Sequence, residues 1–173
     1  TVISDREAED VVVTAYVGTS SSDTIYASSA TVSIESGSGN DEIVLAKNDG
    51  KSTKIIFEKN LSVNGLDSIE FFERGENGDV LDFSAFLTVP NLSLVDTTVS
   101  ASDITETVLQ NGAIVAIEGT SLFSDLTIAN LFGAGRPFAN PTNLSKYVFI
   151  TANLSQDSDI WYVLNNSNTS LIE

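Results

Sequence analysis

The stretch Ser36-Gly37-Ser38-Gly39-Asn40-Asp41-Glu42-Ile43-Val44 decides the fold of this chain. It fits the nonapeptide pattern G-G-x-G-x-D-x-U-x at four of the five specified positions, with Ser36 in place of the first glycine. Small residues let the backbone bend tightly and turn carbonyl oxygens inward. Asp41 adds a carboxylate to those carbonyls, and Ile43 anchors a short strand two residues later. A cluster of carbonyl and carboxylate oxygens is what a hard cation such as calcium requires, at six to eight ligands.

The register extends this reading upstream. In Gly18-Thr19-Ser20-Ser21-Ser22-Asp23-Thr24-Ile25-Tyr26, Asp23 lies eighteen residues before Asp41, and Ile25 eighteen before Ile43. Ile34, in the intervening nonapeptide 27–35, falls midway, so isoleucines recur every nine residues. Two nonapeptides per turn would stack loops eighteen residues apart on one edge of a parallel β-roll. Asp23 and Asp41 then face one ion, with carbonyls from around Gly18, Ser20, Gly37 and Gly39. The middle loop, 27–32, carries no carboxylate, so the opposite edge is expected to be empty. Ordinary Gly/Ser/Asp turns use the same residue types, but the two registers agree.

These residues resemble the RTX (repeats-in-toxin) calcium-binding proteins of bacteria, which leave the cell by type I secretion. Downstream, Asn64 to Phe72 and Gly78 to Leu87 are similar to the segment closing such rolls, a D-x-I-x-x-F element followed by G-D-x-L-D-[FL]-S. Phe138 to Pro141, Lys146 to Ile150 and Asp159 to Val163 resemble the C-terminal module of surface-layer and related large secreted proteins. The likeness covers roughly residues 16–165. With one nearly complete repeat, it implies a short, degenerate roll. It also implies Ca2+ as the bound group and an extracellular location on the bacterial cell surface.

Composition agrees. The formal net charge is −16, from 24 acidic and 8 basic residues, a balance that repels nucleic acid and favours divalent cations. Histidine, cysteine and methionine are absent, which removes disulfides, the common transition-metal ligands and any Ser-His-Asp or Cys-His arrangement. Many acids could form a glycosidase pair, but nothing selects one, and Arg136 has no phosphate loop beside it. No apolar run approaches the roughly twenty residues that span a bilayer. The chain lacks an initial Met and ends on what reads as a running strand, so a piece of a longer protein is expected. The Asn-x-Ser/Thr triplets at Asn60, Asn91 and Asn143 are sugar acceptors only in a eukaryotic secreted chain.

The expected class is mainly β: a strand lead-in, roll and cap over 1–89, then a small β-rich module with one helix over 90–173. Residues 11–17 read as a strand entering a roll at 18–45. Strands at 54–57 and 69–72 interrupt the nine-residue rhythm, and 80–86 reads as a last strand or a short capping helix. Beyond Pro90, a strand is expected at 92–95. Asn111-Gly112 signals a hairpin between 106–110 and 113–117. Ser124 to Phe132 reads as a helix stopped by Gly133, and 147–152 with 160–164 as a second hairpin.

Asp67, Glu70, Asp79 and Asp82 form a second acidic group, which either holds another calcium pinning the cap or is solvated charge. Asp82 leads because Leu81 and Phe83 flank it. Asp157 and Asp159 read as a polar hairpin tip, and Trp161, Tyr162 and Tyr147 as sheet-face packing rather than a sugar platform. The expected function is a non-catalytic structural region of a surface layer, filament or adhesin, self-associating, with a cell-surface polysaccharide as a candidate partner. The alternative is the C-terminal calcium-binding region of a secreted protease or lipase.

Overall fold

The isoleucine register is realised as two parallel sheets wound by one helical path. A computed structural model describes residues 2–4, 14–60, 64–88, 93–97, 109–118, 130–132, 134, 138, 145–152, 158–166 and 169–172. The chain divides into two compact units, Thr1–Phe86 and Leu87–Glu173, three residues earlier than the boundary expected near Pro90.

In the first unit eight three-residue strands alternate between the sheets. β1 (Val2–Ser4), β3 (Thr24–Tyr26), β5 (Glu42–Val44) and β7 (Ser68–Glu70) stack in that order. β2 (Ala15–Val17), β4 (Ser33–Glu35), β6 (Lys54–Ile56) and β8 (Val80–Asp82) form the other sheet. Ile25, Ile43 and Ile69 are in register in the first, and Tyr16, Ile34, Ile55 and Leu81 in the second. Ile25, Ile34, Ile43 and Ile55 are completely buried. A three-residue strand has one inward position, so a β-branched side chain there supplies most of each rung's burial.

The roll therefore continues past residue 45, through β8. The strands at 54–56 and 68–70, expected to interrupt the rhythm, are ordinary rungs. What changes is the loop length: Ser33 pairs with Lys54 and Glu42 with Ser68, so the later turns are longer. Register is held by stacking, and a loop can lengthen at small entropic cost. Segment 80–86 is both of the things expected of it. β8 is followed by α1 (Ser84–Leu87), with Phe83 and Phe86 buried and Phe83 stacked on Phe57 at 4.7 Å.

The second unit is one mixed sheet in the order β13-β12-β11-β10-β9. Its strands are β9 (Ser93–Thr97), β10 (Ala113–Glu118), β11 (Lys146–Ala152), β12 (Ser158–Asn166) and β13 (Thr169–Ile172). β11 and β12 make the expected hairpin, Tyr147 opposite Val163. The hairpin expected around Asn111-Gly112 is not formed. Both edges of β10 are occupied in parallel, by β9 and β11, so no edge remains for residues 106–110, of which 106–108 lie outside the described residues. Gly112 (φ 87°) turns the chain into β10 instead. Of the expected helix 124–132, residues 124–129 lie outside the described residues, and Phe132 forms an isolated parallel bridge with Phe138. Ala113, Val115, Ile117, Tyr147, Phe149 and Val163 build the core, with Phe132 and Phe138 edge-on to Phe149.

Candidate functional site: an aspartate column on one edge of the roll

The residue before each of the last three strands of the first sheet is an aspartate: Asp23 before β3, Asp41 before β5, Asp67 before β7. Parallel stacking brings these three, separated by 18 and 26 residues, onto one edge. Their backbones form a ladder, in which Glu42 N–H donates to Asp23 C=O at 2.9 Å and Ser68 N–H to Asp41 C=O at 2.8 Å. Their carboxylates reinforce it. Asp23 N–H donates to Asp41 Oδ1 at 2.8 Å, and Asp41 N–H to Asp67 Oδ1 at 2.9 Å. One oxygen of each lower aspartate thus has a structural role that needs no ion.

The remaining oxygens differ along the column. Asp23 Oδ2 accepts from Thr19 N–H (2.6 Å) and Thr19 Oγ1 (2.9 Å) within its own loop. The first of these bonds chiefly lowers the Asp23 pKa. Asp67 Oδ2 accepts from Ser36 Oγ at 3.3 Å. Asp41 is 2% exposed, and its Oδ2 is buried with no hydrogen-bond partner. Such an atom forfeits hydration unless a cation or donor replaces it.

A fourth carboxylate joins them. Glu58, from the loop after β6, accepts the Gly37 N–H on Oε1 at 3.0 Å. Its Oε2 is also buried without a hydrogen-bond partner. Desolvation raises the Glu58 pKa, with the charges of Glu35 and Asp41 adding to it. Asp67 is pushed up to about 6, chiefly by desolvation, against the lowering effect of the Asp41 N–H and with the Asp41 and Glu58 charges adding to the rise. These carboxylates bear on one another through a poorly solvated space. Sequence reading missed Glu58. The available signal was its offset: it stands two residues past β6, as Gly37 stands two past β4.

The glycines lie where loops touch. A Cβ on Gly18 would stand 1.7 Å from Ser36 O, and one on Gly65 1.9 Å from Gly39 O. Gly37 and Gly39 have φ of 89° and 119°. The loops containing Gly18, Ser20, Gly37 and Gly39 are thus stacked as the roll expectation requires, and Ser20 is exposed.

The second acidic group does not assemble. Asp67 belongs to the column just described, whereas Asp79 precedes β8 on the opposite edge, below Thr53. There Asp79 accepts Thr53 N–H (2.9 Å) and Glu73 N–H (2.8 Å), one on each oxygen. Asp82 is not enclosed by its apolar neighbours. It lies 3.5 Å from Lys54 Nζ and accepts the Ser84 N–H at the start of α1, and the Ser84 bonds with Lys54 lower its pKa. Glu70 is exposed on β7. Asp79 stands on the edge opposite Asp67, so Asp67, Asp79 and Asp82 are not brought together as one group.

In the second unit Tyr147 and Tyr162 are buried, and Trp161 packs against the core while donating Nε1–H to Thr151 Oγ1 at 3.0 Å. These aromatics fill sheet faces, as expected. Asp159 is exposed, and Asp157 and Arg136 lie outside the described residues. Among the described residues no three or more carboxylates converge as a metal cluster, so an ion here would rest on one or two carboxylates plus carbonyls. No helix among them is long and apolar enough to cross a membrane. No family model, curated protein or solved structure matches this chain.

Proposed function

We propose that this chain is a non-catalytic, calcium-dependent structural region of a secreted bacterial surface protein. The observation that carries the proposal is the buried, unpartnered Asp41 Oδ2 in the middle of a three-aspartate column on a parallel roll. The site suits a hard cation: the Asp41 carboxylate between the charges of Asp23 and Asp67, carbonyls around Gly18, Ser20, Gly37 and Gly39, and no histidine or cysteine in the chain. Calcium bound there supplies the positive charge that stacked carboxylates lack.

Neutralisation also favours association. At net charge −16 copies repel, and bound cations lower that repulsion. The reading therefore includes calcium-dependent self-assembly at the cell surface, in a layer, filament or adhesin, where a polysaccharide is the accompanying partner. Calcium titration followed by circular dichroism and light scattering tests both parts. β-signal in the first unit should grow with calcium, and scattering should rise in the millimolar range typical of weak extracellular sites. A spectrum and hydrogen exchange indifferent to calcium and chelator would overturn the calcium reading. Calcium binding by a particle that stays monomeric would transfer the proposal to the accessory region of a secreted enzyme.

A further inference from the structure

The repeat pattern stops at residue 44, yet residues 57–60 and 64–67 stack directly beneath the loop of residues 36–41. That lower loop has none of the pattern's paired glycines after its strand. At the position of Gly37 it places Glu58, and the Glu58 side chain reaches back up to the Gly37 N–H. Of the lower carboxylates Asp41, Glu58 and Asp67, Asp41 Oδ2 and Glu58 Oε2 are buried and accept no hydrogen bond. They come from different loops, each anchored by its other oxygen to a backbone N–H of the loop above: Asp41 Oδ1 to Asp23 and Glu58 Oε1 to Gly37. Asp67 adds a third negative charge, but both its oxygens are engaged, by Asp41 N–H and Ser36 Oγ.

We propose that Asp41 Oδ2 and Glu58 Oε2 are the two carboxylate ligands of a divalent-cation site between the second and third loops of this edge, with Glu58 as a ligand from outside the repeat pattern. The proposal rests on the calcium reading above and adds the residue that makes one site differ from the other. Two ligating carboxylates with Asp67 nearby give this site more negative charge than the loop pair above it. That upper pair has only the carboxylates of Asp23 and Asp41, and Asp41 is common to both pairs. In oxygen-ligand sites affinity rises with ligand charge, so the lower site fills first. Its occupation ties the long turn after β6 to the roll.

The test uses the full chain, with calcium and with terbium as a luminescent probe. Glu58→Gln keeps the acceptor for the Gly37 N–H and removes the charge; Glu70→Gln, on the exposed strand face of β7, is the control. Wild type should bind with two affinities. Glu58→Gln should weaken the tighter one by about tenfold or more, at least the effect of losing a partner one shell further out, and should shrink the calcium-induced rise in melting temperature. Without calcium it should melt no lower than wild type, because the Gly37 hydrogen bond survives. Unchanged affinity and stoichiometry in Glu58→Gln, with wild type still binding calcium, would overturn Glu58 as a ligand and leave the proposed function standing. Absence of calcium and terbium binding in wild type would overturn both.

Discussion

Asp67 and Glu58 are carboxylates whose folded environment disfavours charge, and this sets a definite pH response. The folded state holds a proton on Asp67 up to about 6, whereas the unfolded chain releases it near the ordinary aspartate value of 3.8. Between those values the folded state binds more protons, so without cation the first unit gains stability as pH falls through 6 and loses it as pH rises. Glu58 acts in the same direction. Asp23 and Asp82, with lowered values, act oppositely and dominate only in stronger acid. Hydrogen exchange at β5 in chelator should thus be slower near pH 5.5 than near pH 7.5, once intrinsic rates are divided out. With calcium the order should reverse, because protons compete with the ion for the same oxygens. Asp67→Asn should mimic the acid effect, raising the melting temperature in chelator while lowering the response to calcium. The glycines give a second contrast. Gly50→Ala, at φ 63° with nothing within 4 Å of the new Cβ, should cost about 1–2 kcal/mol from backbone strain. Gly65→Ala, at φ 72° with the Cβ driven against Gly39 O, should cost clearly more, by denaturant melts of the two variants.

For the elements, each rung of the roll is three residues long and depends on one inward side chain and on the ladder above and below. Ile43, wholly buried between Ile25 and Ile69, has no alternative burial, and Ile43→Ala should cost about 2–5 kcal/mol. Ile69, only half-buried at the end of its sheet, should cost less, and equal losses in denaturant melts would contradict this ranking. The opposite edge shows what the same ladder does without orphan oxygens. Asp79 donates nothing and accepts two N–H groups, so Asp79→Asn should be destabilising both with and without calcium, whereas Asp41→Asn should lower stability only when calcium is present. The cap works by covering apolar surface: Phe57, Phe83 and Phe86 close the stack where β7 and β8 end.

Across the whole chain, the two units differ in what holds them. The second has an apolar core of Val115, Ile117, Phe138, Tyr147 and Phe149 under a five-stranded sheet. The first has a thin column of isoleucines beside a column of like charges. Chelation should therefore raise amide exchange in residues 14–60 and leave that of β10, β11 and β12 unchanged. Uniform loss of protection in both units would show that they fold as one cooperative body.

The roll was legible in local sequence, because a β-branched residue every nine positions and an aspartate every eighteen encode one short strand and one tight loop at a time. Those are local properties, set by φ and by side-chain period, and so were the β11–β12 hairpin and the capping role of 80–86. What joins across loops of unequal length depends on long-range stacking. Stacking is satisfied by backbone hydrogen bonds that carry no sequence period, so the longer turns hid Asp67 beneath Asp41 and sent Asp79 to the other edge. Glu58 was invisible for the same reason: its role comes from a glutamate reaching back one rung, a contact between residues 21 apart that only the pairing of β4 with β6 creates. The hairpin expected at Asn111-Gly112 failed because strand partners are chosen by which edges are free, and β10 lies between two parallel neighbours.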